Sequence, residues 1–175
     1  MKRTNRFQLN LLFLAIFIFV LTSCSPTTET STTLNIEASA TGPFFSGPNS
    51  LIAEYEVDLA SIEGLEGVSA DQLKEIKIKS VNVMLIDTSG TTFDAYKSAS
   101  LQMVSANTDM QTVAIKNPID SNTRELTLQV SDDADIVDYF KGQKFSFVLD
   151  LDFIEDSFEE ESVATINMEI NVKHK

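Results

Sequence analysis

The sequence predicts an all-β domain: a Greek-key β-sandwich of about eight strands with two short helices, or, as the alternative, a small β-barrel. Two observations support this class. From Leu34 to the end of the 175-residue chain, apolar and polar residues alternate with a period of two in successive runs. Such alternation is typical of strands that bury one face. Turn-forming residues separate the runs at short spacing, and only two stretches have helical character.

The first three runs predict long strands. One begins at Leu34, the second spans 51–59 and the third spans 76–86. Within the third run, the inward-facing set changes phase near Lys79 and Ser80. A change of phase indicates either a β-bulge or a strand that is covered on both faces.

Three shorter strands are predicted next, at about 97–105, 111–116 and 124–130. Turn signals separate the strands in this half of the chain. They are Asp87 to Gly90, Asn107 to Asp109, and Asn117-Pro118 with Asp120.

The last two runs carry the strongest alternation, and they predict a long hairpin that ends close to the C-terminus. The acidic loop from Glu155 to Glu161 joins them. The inward face of the first strand is formed by Phe145, Phe147, Leu149, Leu151 and Phe153, and that of the second by Ala164, Ile166, Met168, Ile170 and Val172.

Two short helices are predicted between strands. Ser69 and Gln72 have the spacing of a capping box, with Leu73 and Ile76 turned inward. The second helix begins at 131–133, where acidic side chains suit the positive end of a helix. Its apolar stripe consists of Ile136, Val137 and Phe140, and Gly142 ends it.

Charge narrows the classes of partner. The chain has 13 basic and 26 acidic residues, a formal net charge of −13. Nucleic-acid-binding proteins place lysine and arginine against phosphates, so a nucleic-acid partner is not expected. Anionic lipid head groups would also be repelled, and a membrane contact therefore needs something other than a basic patch.

The N-terminus has the zones of a secretory signal. Lys2, Arg3 and Arg6 precede the unbroken apolar run 11–21. That run is too short for a transmembrane helix, which needs about 20 residues. A basic start, a short apolar core and small residues near a cleavage site are the secretory pattern.

Leu21-Thr22-Ser23-Cys24 resembles the lipobox of bacterial lipoproteins. The resemblance implies cleavage before Cys24, a diacylglyceryl thioether on its sulfur and acylation of the new amino terminus. Cys24 is the only cysteine of the chain, so no disulfide within one molecule competes for it. Ser25 stands where an aspartate marks retention at the inner membrane, and this favours the outer membrane of a bacterial envelope. For the mature domain we identify no family.

This division of the chain gives a signal peptide at 1–23, a lipidated cysteine with a flexible tether at 24–33, and one domain at 34–175. The stretch 25–33 is polar and lacks large apolar side chains, so it offers little to bury. Segment 1–23 holds three basic and no acidic residues, and its removal changes the net charge from −13 to −16.

No catalytic device or cofactor is predicted. The only histidine is His174, next to the last residue, where chains usually fray. A nucleophile–histidine pair therefore lacks a base, and no His/Cys cluster suits zinc. A carboxylate-based hydrolase stays open because carboxylates are numerous, and it is the least favoured function.

Two candidate binding sites remain. Asp150, Asp152, Glu155 and Asp156 form an acidic group that could supply oxygen ligands to calcium, although it lacks EF-hand spacing. We favour a solvated loop that keeps strands from pairing with neighbours.

The second candidate is Phe44 and Phe45, which two Gly-Pro pairs bracket. One phenylalanine could plug an end of the sandwich while the other forms a contact. Burial of both beneath the loop is the favoured alternative.

The predicted function is a non-enzymatic cell-envelope lipoprotein whose β-sandwich is a binding or structural module at the membrane surface. Its expected partners are the membrane, through the lipid, and another envelope protein. The alternative is a lipocalin-like carrier of a hydrophobic small molecule, suggested by the many phenylalanines near the C-terminus.

Overall fold

The computed structural model describes residues 26–86, 92–132 and 134–175. The predicted signal peptide, Cys24 and the turn at 87–90 lie outside these ranges. Eight strands form the described structure. They are β1 (Thr28–Thr41), β2 (Gly47–Glu56), β3 (Leu73–Leu85), β4 (Tyr96–Val104), β5 (Gln111–Lys116), β6 (Glu125–Val130), β7 (Lys144–Phe153) and β8 (Glu161–His174).

All pairings are antiparallel, and the strands close in the order β1-β2-β7-β4-β5-β6-β3-β8. Two joints are short: β1 meets β2 at Ser39 and Ile52, and β5 meets β6 at two residue pairs. The barrel is therefore flattened into two four-stranded sheets, β1-β8-β3-β6 and β2-β7-β4-β5. This is the strand order of a jelly roll. The all-β prediction with about eight strands is confirmed, and the sandwich and barrel alternatives describe the same closed structure.

Strand β8 is central to the first sheet. It pairs with β1 along its whole length, from Thr28 with His174 to Thr41 with Glu161. On its other side it pairs with β3. The register of β3 against β8 shifts between Ile78 and Ser80, which confirms the bulge predicted from the change of phase.

The predicted terminal hairpin is wrong. β7 pairs with β2 and β4, whereas β8 pairs with β1 and β3, so the two strands lie in opposite sheets. Their apolar faces were predicted correctly, and these side chains are buried between the sheets. Alternation specifies which face is buried, but it does not specify the neighbouring strand.

The flexible tether predicted at 24–33 is wrong for residues 28–33, which form the first half of β1. Every residue of this stretch has a partner in β8, and Thr32 is buried. Backbone pairing does not require apolar side chains, and threonine suits a sheet with one solvated face. The folded domain therefore begins at Thr28 instead of Leu34.

The helices are smaller than predicted. The Ser69 capping box is present, but it opens only a 3₁₀ turn, Ala70–Gln72, after which Leu73 and Ile76 belong to β3. The second helix, α1, is Val137–Phe140 and begins later than predicted. Its side chains Val137, Tyr139 and Phe140 are buried, as is Ile136 just before it.

Helix α1 closes one end of the sandwich. The carboxylate of Asp135 accepts hydrogen bonds from the backbone N–H groups of Ile76 and Val137, both at 3.1 Å. The hydroxyl of Tyr139 donates to the carbonyl oxygens of Met103 and Asp109. These bonds fix α1 at the end where β1 begins and β8 finishes. We call this the anchor end, and the opposite one the loop end.

Because β8 holds β1 and β3 together, removal of residues 166–175 should unfold the domain. Both neighbouring strands would lose their partner, and the buried faces of β7 and β2 would meet water. Thermal unfolding followed by circular dichroism measures this. Deletion of Lys175 alone is the control and should keep the transition. A ten-residue truncation with an unchanged midpoint would contradict the central role of β8.

Hydrogen exchange tests whether residues 28–33 form a strand or a flexible tether. We expect amide protection there comparable with that of β8, since the two are paired. Mass spectrometry of peptides that cover 28–33 measures it, with the β4–β5 connection at 105–110 as the unprotected reference. Exchange of residues 28–33 as fast as that reference would show that this half of β1 is not formed.

Candidate docking surface at the loop end

Two connections lie side by side at the loop end: residues 42–46 between β1 and β2, and 154–160 between β7 and β8. Phe44 and Ser157 form an isolated antiparallel bridge. The N–H of Phe44 donates to the carbonyl of Ser157 at 2.9 Å, and the N–H of Ser157 donates back at 2.8 Å. The two connections thus form one short ribbon instead of two independent loops.

Further bonds hold this ribbon together. The N–H of Gly42 donates to the carbonyl of Glu160 at 2.9 Å, and a Cβ at Gly42 would collide with the carbonyl oxygen of Glu159. Glycine is therefore required for the close approach of the two backbones. The N–H of Ser46 donates to the carboxylate of Asp156 at 2.8 Å. The backbone of the ribbon is consequently held in place.

Phe44 closes the loop end from inside. It is buried and stacks on Phe153, with ring centroids 5.2 Å apart and planes 12° apart. The ring of Tyr96 meets Phe153 edge-on at 4.7 Å, and Phe93 lies 5.8 Å from Tyr96. Phe44 therefore belongs to the core. Of the two phenylalanines considered as contacts, only Phe45 remains available.

Phe45 is 62 % exposed, and two further apolar side chains on the same ribbon share this property. Phe158 is 85 % exposed and Ile154 is 44 % exposed. Phe45 and Phe158 flank the bridged pair, one on each segment. Large apolar side chains grouped on the surface mark interaction sites. We call Phe45, Ile154 and Phe158 the loop-end surface.

An open cleft of about 390 Å³ lies beside the loop-end surface. The turn at Phe93–Ala95 forms its other wall, held by a hydrogen bond from the N–H of Ile154 to the carbonyl of Ala95 at 2.9 Å. Its lining contains four carboxylates and neither lysine nor arginine. The lining residues are Asp94, Ala95, Tyr96, Phe153, Ile154, Glu155, Asp156, Ser157 and Glu159.

Two of the four carboxylates have structural partners. Asp94 accepts hydrogen bonds from the Thr92 hydroxyl and the Asn122 N–H, both at 2.6 Å, and these bonds, the Thr92 bond first, lower the pKa of its carboxyl. Asp156 holds Ser46, as described above. By contrast, Glu155 and Glu159 are exposed, and within the described residues their carboxylates have no hydrogen-bond or ion-pair partner.

The structure does not assemble a calcium site from Asp150, Asp152, Glu155 and Asp156. Asp150 lies on the outer face of β7, where it accepts hydrogen bonds from Ser50 at 2.5 Å and Gln102 at 2.6 Å. Across residues 26–86, 92–132 and 134–175, no three or more Asp, Glu, His or Cys side chains converge as metal ligands would.

His174 is not frayed, contrary to expectation. It is the last residue of β8 and is buried, with Nε2 3.4 Å from the hydroxyl oxygen of Thr30. Its Nδ1 lies 3.5 Å from the carbonyl oxygen of Lys175. It stands at the anchor end, opposite the acidic cleft, so the cleft carboxylates and the histidine do not form one site.

Sequence reasoning missed Ile154 and Phe158, and it missed the part that Asp94 and Glu159 play in the cleft. One signal was present: Phe158 interrupts a loop that otherwise holds five acidic residues between 155 and 161. An aromatic side chain with no alternation around it has no strand face to bury it.

No family model matches the chain, and curated proteins give no match. Among solved structures, it is similar to the 60-mer BFDV capsid protein at 9 % identity, covering 87 % of this chain and 95 % of that one, with a TM-score of 0.39. For Cocksfoot mottle virus the identity is 10 %, the coverage 88 % and 87 %, and the TM-score 0.33. Desmodium yellow mottle tymovirus is 11 % identical, with 86 % of this chain and 90 % of that chain covered and a TM-score of 0.31.

Substitution of the two neighbouring phenylalanines should separate core from surface. Phe44→Ala removes a buried stacked ring and should lower the free energy of unfolding by about 3–5 kcal/mol. Phe45→Ala should change it by less than about 0.5 kcal/mol, since the ring is mostly in water. Urea denaturation measures both. Equal losses for the two variants would mean that Phe45 is also packed in the core.

Proposed function

We propose that this protein is a non-enzymatic lipoprotein of the bacterial cell envelope. Its jelly roll sits on the membrane through a lipid on Cys24 and binds another envelope protein with the loop-end surface. One observation carries the proposal: the beginning of β1 and the exposed aromatic side chains lie at opposite ends of the sandwich. A lipid four residues before Thr28 would direct Phe45 and Phe158 away from the membrane.

The dimensions support this orientation. The four steps from Cys24 to Thr28 span at most about 14 Å. Strand β1 has 14 residues and at about 3.3 Å per residue is about 45 Å long. A short link holds the anchor end near the bilayer, while the loop end stands roughly a strand length further out.

Attachment by lipid agrees with the composition. The net charge of −16 after removal of residues 1–23 disfavours adsorption to anionic head groups. Acyl chains contribute about 0.8 kcal/mol for each buried methylene, and two or three chains suffice for stable attachment. Ser25 after the cysteine favours the outer membrane.

A binding role agrees with the chemistry of the described groups better than catalysis does. The histidine and the acidic cleft stand at opposite ends, as described above. The side chains of both sheets occupy the space between them, including Leu51, Phe147, Met168 and Val83 at no measurable exposure. An exposed apolar patch with polar groups at its rim is instead the usual anatomy of a protein contact.

Lipidation is tested in cells of the native host. The wild-type protein should incorporate a palmitate analogue, fractionate with membranes and lack residues 1–23 by mass spectrometry. Cys24→Ser should lose the label and the processed amino terminus. Ser23→Ala is the matched control, since it keeps a small residue before the cysteine and should behave as wild type. An unmodified Cys24 thiol in the wild-type protein would overturn the proposal.

A further inference from the structure

We infer that the loop-end surface binds a protein segment in which an apolar side chain is followed or preceded by lysine or arginine. The positively charged group of that lysine or arginine would lie in the acidic cleft beside the surface. The inference rests on the proposed function, in which the loop end faces a partner. It adds the chemistry of that partner. The observation behind it is the juxtaposition of three exposed apolar side chains with a cleft lined by four carboxylates and no basic residue.

The apolar half of the contact comes from the ribbon. Phe158 and Phe45 project from a backbone fixed by the Phe44–Ser157 bridge, and Ile154 is tied to the 93–95 turn. Aromatic side chains are enriched in the cores of protein interfaces, and a pre-ordered backbone lowers the entropic cost of binding. The partner must therefore supply apolar surface of its own.

The charged half comes from Glu155 and Glu159. Their carboxylates line the cleft, are exposed and lack partners among the described residues, whereas Asp94 and Asp156 already accept hydrogen bonds. A lysine or arginine side chain would supply the missing donors. Complementary charge at the edge of an apolar contact adds specificity and speeds association.

Charge also selects among possible occupants. A second copy that docked through its own loop-end surface would bring the same carboxylates against the cleft, and like charges in contact are unfavourable. Anionic lipid and nucleic acid would be repelled for the same reason. A small cation alone would leave the loop-end surface uncovered. A basic and apolar protein segment satisfies both halves of the site.

Photo-crosslinking in native cells tests the inference on the full, membrane-attached protein. p-Benzoylphenylalanine is incorporated at Phe158, which keeps an aromatic side chain at the most exposed position of the surface. We expect an adduct with another protein, in which the crosslinked peptide has lysine or arginine within about three residues of the attachment point. Mass spectrometry of the digested adduct identifies it.

Charge variants then test the cleft. The double variant Glu155→Gln with Glu159→Gln should lower the adduct yield about fivefold, since each exposed ion pair contributes modestly. The matched control is Glu37→Gln with Glu125→Gln. It removes two exposed carboxylates from the outer face of the β1-β8-β3-β6 sheet and should leave the adduct yield unchanged. The protein level in each strain is measured by immunoblot for normalisation.

Four results would overturn the inference: no adduct, an adduct with lipid, an adduct with a second copy, or a yield that falls equally in both double variants. Membrane fractionation of the same cells reports separately on the proposed function. A protein found outside the membrane would end the lipoprotein proposal, while the identity of the crosslinked peptide would still decide the chemistry of the partner.

Discussion

The structure depends on the pairing of its last strand. β8 supplies hydrogen bonds to β1 on one side and to β3 on the other, and these two pairings are the longest in the sandwich. Until the end of the chain is in place, the first sheet lacks its centre, and β1 has only the joint at Ser39 and Ile52 to hold it. All strand pairings of this sheet therefore join segments distant in sequence, and such long-range pairing slows folding.

The same pairing fixes the two ends of the molecule. Because β1 and β8 run antiparallel over their full lengths, the start of β1 and the end of β8 lie together at the anchor end. The connections β1–β2 and β7–β8 are then placed together at the loop end, although more than 100 residues separate Phe44 from Ser157 in sequence. The topology thus separates the point of attachment proposed for the chain from its exposed apolar surface.

Each end is sealed by aromatic side chains, and this bears on the proposed function. At the anchor end, Tyr139 and Phe140 of α1 pack against Phe145. At the loop end, Phe44 stacks on Phe153. With Phe44 inside, the ribbon can present Phe45 to solvent without opening the core. Hydrogen bonds order the backbone of the ribbon, and in the proposed contact such a surface would bind with a smaller entropic cost than a mobile loop.

The sequence by itself determined the local features: eight strands, most bounds within a few residues, the inward faces of β7 and β8, and the bulge near Ser80. Alternation specifies these because each depends on which side of a strand is buried. Only the tertiary structure decided the partners. It placed β7 and β8 in opposite sheets, drew residues 28–33 into β1, and separated Phe44 from Phe45. The reason is that backbone hydrogen bonds carry no residue identity, so the polar stretch 28–33 and an alternating strand are equally able to pair. Packing between residues far apart in the chain decides which segments pair. Local patterns in a single sequence do not carry that information.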